Sequence, residues 1–320
     1  MITLEDIRTA RDIVRGALSP TPLLRSTTLG ERTGTRAFLK AENLQRTGSF
    51  KTRGATVRVS HLSPEERARG LVAVSAGNHA QAVAFAASAA GVRSTVVMPE
   101  TAPRAKVEAS RAYGAEVVLH GDVFDAFEKA EQLRQERGLV YVHPFDDPHI
   151  IAGQGSVGLE IVEDLPALDA VVVCVGGGGL IAGIATAVKA LRPKVRVIGV
   201  EPVGAACVTA GLENGRALFL DRVDTIADGL ATPTTGDLVL EHVRAYVDEI
   251  VLVDDDEIIA GMGFLLERAK LLAEPAGAAA TAALLSGKIA LPEGSRVAVT
   301  VSGGNIDIGT LCRYLERGAA

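Results

Sequence analysis

Short β-branched runs alternate with helical stretches along most of this 320-residue chain, and that alternation restricts its fold more than any other feature. "LVAVS" (71–75) reads as a buried strand, and "NHAQAVAFAASAAG" (78–91) as the helix after it. "STVVMPE", "AEVVLHG" and "LVYVHP" continue the strands, with "APRAKVEASRAYG" and "DVFDAFEKAEQLRQERG" as the helices between them. Each of these helices stops at a Gly, the residue that accepts the left-handed conformation of a C-cap. A second series follows in "DAVVVCVGGGG", "LIAGIATAVKALRP" and "VRVIGVEP". It continues through "EIVLVDDDEIIAGMGFLLERAKLL", "PAGAAATAALLSG" and "SRVAVTVSGGN". In the first of these three, the pattern predicts a strand, an Asp-rich N-cap and a helix running to the end. Strand and helix in alternation predict an α/β protein with mainly parallel sheets and right-handed crossovers.

The length exceeds one typical core. Residues 69–148 predict a small compact lobe, and residues 1–68 with 149–320 a larger one. No Pro-, Gly- or Ser-rich linker separates them. A cleft between two such lobes favours a small ligand, and ligands gather at the carboxyl ends of parallel strands. The formal net charge of −6 argues against a nucleic-acid partner, which needs a basic face. No apolar stretch is long enough for a membrane span, and "MITLEDIRTARDIVRGAL" reads as an amphipathic helix rather than a signal peptide. Cys174, Cys207 and Cys312 have neither metal spacing nor a disulfide framework, and Cys174 reads as a buried filler. A cytoplasmic protein is the expectation.

Three strand-end motifs carry the chemistry. Gly176, Gly177, Gly178 and Gly179 follow one strand and precede a helix. Without Cβ atoms they allow close backbone approach to an anion, with N–H groups and the helix N-terminus pointing at it. The run is neither a Walker A loop nor a G-x-G-x-x-G fingerprint. In "VSAGNHAQ", Ser75, Gly77, Asn78 and His79 gather donors at a helix start, which suits a carboxylate; a plain N-cap by Ser75 or Asn78 is the competing reading. In "VTVSGGN", Ser302 either caps the next helix or reaches the ring nitrogen of a cofactor. Lys51, in "RTGSFKTRGA", adds an amine that can form a Schiff base with an aldehyde and later act as a base. A phosphate cradle, a carboxylate nest, a lone hydroxyl and a lysine together suit pyridoxal 5′-phosphate and an amino-acid substrate.

In that order, "GSFKTRGA", "SAGNHAQ", "GGGGL" and "SGGN" resemble the threonine/serine dehydratase group of fold-type II pyridoxal-phosphate enzymes. "HPFDDPHIIAGQGSVGLEI" and "EPAGAAA" match the same group, so the resemblance spans nearly the whole chain. It implies a two-lobed α/β fold like that of the tryptophan synthase β-chain. Lys51 would carry the cofactor, Phe50 would pack on its ring and Asn78 would bond the ring hydroxyl. Gly176 to Gly179 would bind the phosphate, and Ser302 would meet the pyridine nitrogen. Ser75, Gly77, Asn78 and His79 would surround the substrate carboxylate. The implied reaction is β-elimination of a small hydroxy amino acid. L-Threonine, giving 2-oxobutanoate and ammonia, is the default; L-serine, giving pyruvate, is second, and 3-hydroxyaspartate is a further possibility. A homo-oligomer, dimer or tetramer, is the usual state of such enzymes.

Serine racemase is the close relative to exclude. It has a second base, a serine, where this chain has Ala76, and an Asn where this chain has Phe145. Both departures favour the dehydratase. Relatives with a divalent-cation site place an acid six residues after the Glu of "VEP". Here that position is Cys207, so Glu201 and the Ala205 carbonyl remain without it, and no metal is expected. Glu274 either lines the cofactor pocket or caps a helix. The chain ends soon after "SGGN", so a C-terminal regulatory domain is not expected.

Overall fold

The computed structural model describes residues 1–102 and 104–319. Among them ten strands form two sheets. The strands are β1 (Leu23–Ser26), β2 (Arg36–Ala41), β3 (Leu71–Val74), β4 (Ser94–Met98) and β5 (Glu116–Leu119). The other five are β6 (Val140–Tyr141), β7 (Ala170–Cys174), β8 (Arg196–Pro202), β9 (Glu249–Val253) and β10 (Arg296–Val301). The smaller sheet has the order β5-β4-β3-β6 and is parallel throughout. The larger has the order β1-β2-β10-β7-β8-β9 and is parallel except for the β1–β2 pair at its edge. Both series of strands expected from the sequence therefore form sheets.

Burial explains the sequence pattern. Every residue of β3, β4 and β7 is buried, because helices cover both faces. Such strands read as unbroken apolar runs rather than as alternating ones. The long apolar run after β9 departs from expectation. Its α-helix, Asp255–Phe264, starts at an Asp254 capping box and gives way to a π turn over Leu265–Ala269. Lys270 then takes a left-handed conformation at φ 59°, and the Leu271 N–H reaches back to the Leu265 carbonyl at 3.0 Å. Beyond this early stop Leu271, Ala273 and Glu274 are buried.

The helix Lys51–Ser60 lies at the seam. Its Ala55 and Val59 share a core with Val83 and Ile150, while its Val57 packs into the core of Ile7 and Ile151. It crosses the helix Pro148–Asp164 so closely that a Cβ on Gly153 would lie 2.6 Å from the Gly54 Cα. Two residues beyond Lys51, the fully buried Arg53 grips two carboxylates. Its Nε and Nη2 donate to Glu42 at 2.8 Å each, and its Nη1 and Nη2 donate to Glu160 at 2.7 and 2.8 Å. Lys40 Nζ adds a 2.7 Å bond to Glu160. Two cations balance two anions in a dry core, so deleting one partner would strand a charge at a cost of about 3–5 kcal/mol. The cluster pins the helix that presents Lys51.

Candidate active site

Lys51 begins its helix, an unfavourable place for a structural cation because the N-terminal end of the dipole is positive. Its Nζ donates to the Pro144 carbonyl at 2.8 Å and lies 5.3 Å from the centre of the Phe50 ring. Among the described residues no carboxylate pairs with it. Desolvation pulls the amine down to about 8, so a substantial unprotonated fraction exists near neutral pH.

Pro144 belongs to the segment 143–147, which joins Lys51 to the glycine loop. His143 Nδ1 accepts the Asp146 N–H at 2.8 Å, so that nitrogen carries no proton. Burial also holds the imidazole below its usual range. The Phe145 ring lies where a Cβ on Gly177 would project, and its backbone crowds Gly179. Gly176 is as close to Leu230, and Gly178 sits at φ 89° against Val239. The whole loop is buried. Its carbonyls are tied from behind: Gly177 accepts the Thr235 hydroxyl at 3.1 Å, and Gly176 accepts the Cys207 thiol at 3.5 Å. Among the described residues the N–H groups of Gly176, Gly177 and Gly178 have no protein acceptor. Free donors at the start of the helix Gly179–Leu191 are an arrangement that can cradle an anion.

The loop after β3 differs. Gly77 is the N-cap of the helix Asn78–Ala89, and no side chain caps that helix. The Ser75 hydroxyl instead accepts the Gly77 N–H at 3.0 Å. The competing reading of a plain side-chain N-cap therefore fails. His79 is buried and its Nε2 donates to the Val142 carbonyl at 2.9 Å, so its ring turns into the small lobe. Burial, then the Lys51 charge, pushes it down to about 3. It stays neutral, and what it can offer the loop is its backbone N–H.

The turn after β10 is knitted to the Lys51 segment. The Phe50 N–H bonds the Ser302 carbonyl at 3.1 Å, Ser49 bridges Gly303, and the Gly304 N–H bonds the Gly48 carbonyl at 3.0 Å. Ser302 is buried, its hydroxyl 3.4 Å from the Ala276 carbonyl, and it caps no helix. The Ser49 hydroxyl nearby is buried and has no partner among the described residues.

Glu274, whose role the sequence left open, makes no cap bond to its helix, Pro275–Leu285. Its Oε1 accepts the Asn78 amide at 2.5 Å. Burial, then the charge of Asp228, raises the carboxyl to about 8. Asp228 in turn pairs with Lys106, which reaches across from the small lobe. The "EPAGAAA" motif drew attention to Glu274 but not to its partner 196 residues away, and nothing local in the sequence marks Asp228, whose partner lies 122 residues away.

Glu201, at the end of β8, is spent inside the protein. Its carboxylate accepts the N–H groups of Val208 and Thr209 at 2.8 and 2.9 Å and the Thr209 hydroxyl at 2.6 Å. Among the described residues no three His, Cys, Asp or Glu side chains gather as a metal site.

Residues 14–303 match the family model "Pyridoxal-phosphate dependent enzyme". An L-threonine ammonia-lyase of Thermotoga maritima is 50% identical over 99% of this chain and 79% of its own length. Among solved structures, the processed threonine deaminase isoform 2 of Solanum lycopersicum superposes with a TM-score of 0.94. It is 37% identical, over 99% of this chain and 94% of that one. A maize serine racemase superposes with a TM-score of 0.93 at 36% identity, over 99% of this chain and 98% of that one.

Proposed function

The chain belongs to the pyridoxal-phosphate dependent enzymes, and from that membership we propose a dehydratase that converts L-threonine to 2-oxobutanoate and ammonia by β-elimination. L-Serine, giving pyruvate and ammonia, is the second substrate. The observation that carries the reading is the Lys51 amine, free of any carboxylate among the described residues and lowered to about 8, between an anion cradle and an uncapped helix start.

The residues fit the cofactor. Gly176, Gly177 and Gly178 offer unused N–H groups for its phosphate, Lys51 an amine for its aldehyde, and Phe50, Asn78 and Ser302 contacts for its ring. When bound, pyridoxal phosphate supplies the aldehyde and a ring that draws electrons from the substrate Cα. At pH near 8 about half of the Lys51 amines are unprotonated. An unprotonated Nζ would be able to bond the cofactor's aldehyde and, when free, to accept the Cα proton. Ser75 and the N–H groups that open the helix Asn78–Ala89 orient the substrate carboxylate. Ser302 offers a neutral hydroxyl rather than a carboxylate, which suits losing the proton and the β-hydroxyl close together. Ala76 has no exchangeable proton, so that position supplies no second base.

A second reading, serine racemase, is favoured by the likeness to the maize structure and opposed by Ala76. A screen of L-threonine, L-serine and 3-hydroxyaspartate with 2-oxo acid detection tests both. Fastest release from L-threonine is expected. Faster release from 3-hydroxyaspartate would move the substrate, and D-serine appearing ahead of pyruvate would replace the reaction. A cytoplasmic homo-oligomer is proposed alongside. The three unpaired cysteines suit a reducing compartment, and light scattering on the purified protein decides the oligomeric state.

A further inference from the structure

Asn305 closes the turn after β10, and the chemistry above gives it no task. Its Nδ2 donates to the Thr47 carbonyl at 2.6 Å and to Asn78 Oδ1 at 2.8 Å. A backbone carbonyl only accepts, so the orientation of this carboxamide is set and both of its hydrogens are used. Thr47 and Gly48 are consecutive left-handed residues, at φ 62° and 76°, that turn the chain into Ser49, Phe50 and Lys51. A β-branched residue adopts that conformation only where its surroundings hold it. The Asn305 carboxamide lies against this turn, in the space a Cβ on Gly48 would need.

Asn78 sits on the other side, at the start of a small-lobe helix. With its Oδ1 committed to Asn305, its Nδ2 must face Glu274 Oε1, 2.5 Å away. The Glu274 backbone N–H is fixed by the Gly303 carbonyl at 3.1 Å. The relay runs from the Thr47 carbonyl through Asn305 and Asn78 to Glu274, and it ties Asn78, at the start of the small-lobe helix, to the larger lobe on both sides.

We propose that Asn305 is a positioning residue: it holds the turn that launches Lys51 and sets which way the Asn78 carboxamide faces. The inference rests on the reading that Lys51 and Asn78 serve one bound group. Without the two donors of Asn305, the Asn78 carboxamide is free to rotate and the Thr47 turn loses its brace.

The test uses Asn305→Asp, which keeps the shape and removes both donors, and Asn305→Ala. Amide hydrogen exchange on the cofactor-loaded protein should quicken by about tenfold in both segments 46–51 and 75–80. A change confined to 302–307 overturns the proposal. In a double-mutant cycle with Asn78→Ala, each single variant should lose about 30-fold in kcat/KM. The double variant should fall no more than about threefold below the worse single, and fully additive losses overturn the coupling. The exchange readout needs no substrate. A wild-type protein that releases no 2-oxo acid would sink the proposed reaction, while quickened exchange in both segments would still support the bracing role of Asn305.

Discussion

The two loops that the proposed function assigns to anions, Gly176–Gly179 and Ser75–Asn78, both follow a parallel strand and open a helix, yet they are built in opposite ways. The first is buried on every side, its carbonyls tied back and the space beside its glycines filled by Phe145, Leu230 and Val239. In the second, a Cβ on Gly77 would meet nothing nearer than the Ser75 hydroxyl at 3.9 Å. The packed loop suits a group that stays. The open loop suits one that enters and leaves at every turnover.

The severest way to break this contrast is to remove the amine between the loops. Lys51→Ala should lower turnover by at least about 10³-fold. The lysine-linked absorbance band should vanish as well, and near-normal rates in a 2-oxo acid assay would refute the assignment. The contrast itself is sharpened by a matched pair. Gly177→Ala drives a methyl group into the Phe145 ring and should weaken cofactor binding by about 10–100-fold, measured by spectroscopic titration. Gly77→Ala meets open space at φ −135° and should change that affinity by less than about threefold, its effect falling on KM. Equal losses in the two variants would erase the distinction.

A smaller effect concerns Glu274. Its folded-state carboxyl is raised from 4.5 to about 8, so between those values the folded protein binds more protons than the unfolded chain. Stability from this group is therefore full below 4.5 and is lost as pH rises towards 8. Glu274→Gln should flatten that slope in denaturant titrations at several pH values; an unchanged slope would mean another group sets it. The smallest expected change is Ala76→Ser, which returns a hydroxyl to the open loop. A trace of D-serine from L-serine, read by chiral chromatography, is the expected outcome.

What was legible in the sequence was local. Strand runs ending in glycine located both loops and the Ser302 turn, because a buried parallel strand and a tight helix entry each leave a contiguous signature. The edge strand β1 lies outside the strand series because it is four residues long and only partly covered. The task of His79 differs from the one its neighbours suggest: at the second position of its helix the ring swings into the lobe to reach Val142. Glu274, Asn305 and Asp228 act through partners more than a hundred residues away, and no spacing in the chain records such contacts.

The helix Lys51–Ser60 contributes side chains to both cores. Anyone exchanging the small lobe between related proteins would find no clean crossover point at residue 69. A chimera must carry Ala55, Val59 and Leu62 along with the transplanted sheet, or leave holes beneath Val83 and Ile150. A crossover placed before the helix Lys51–Ser60, which would keep those contacts whole, would take the Lys51 amine along with the graft.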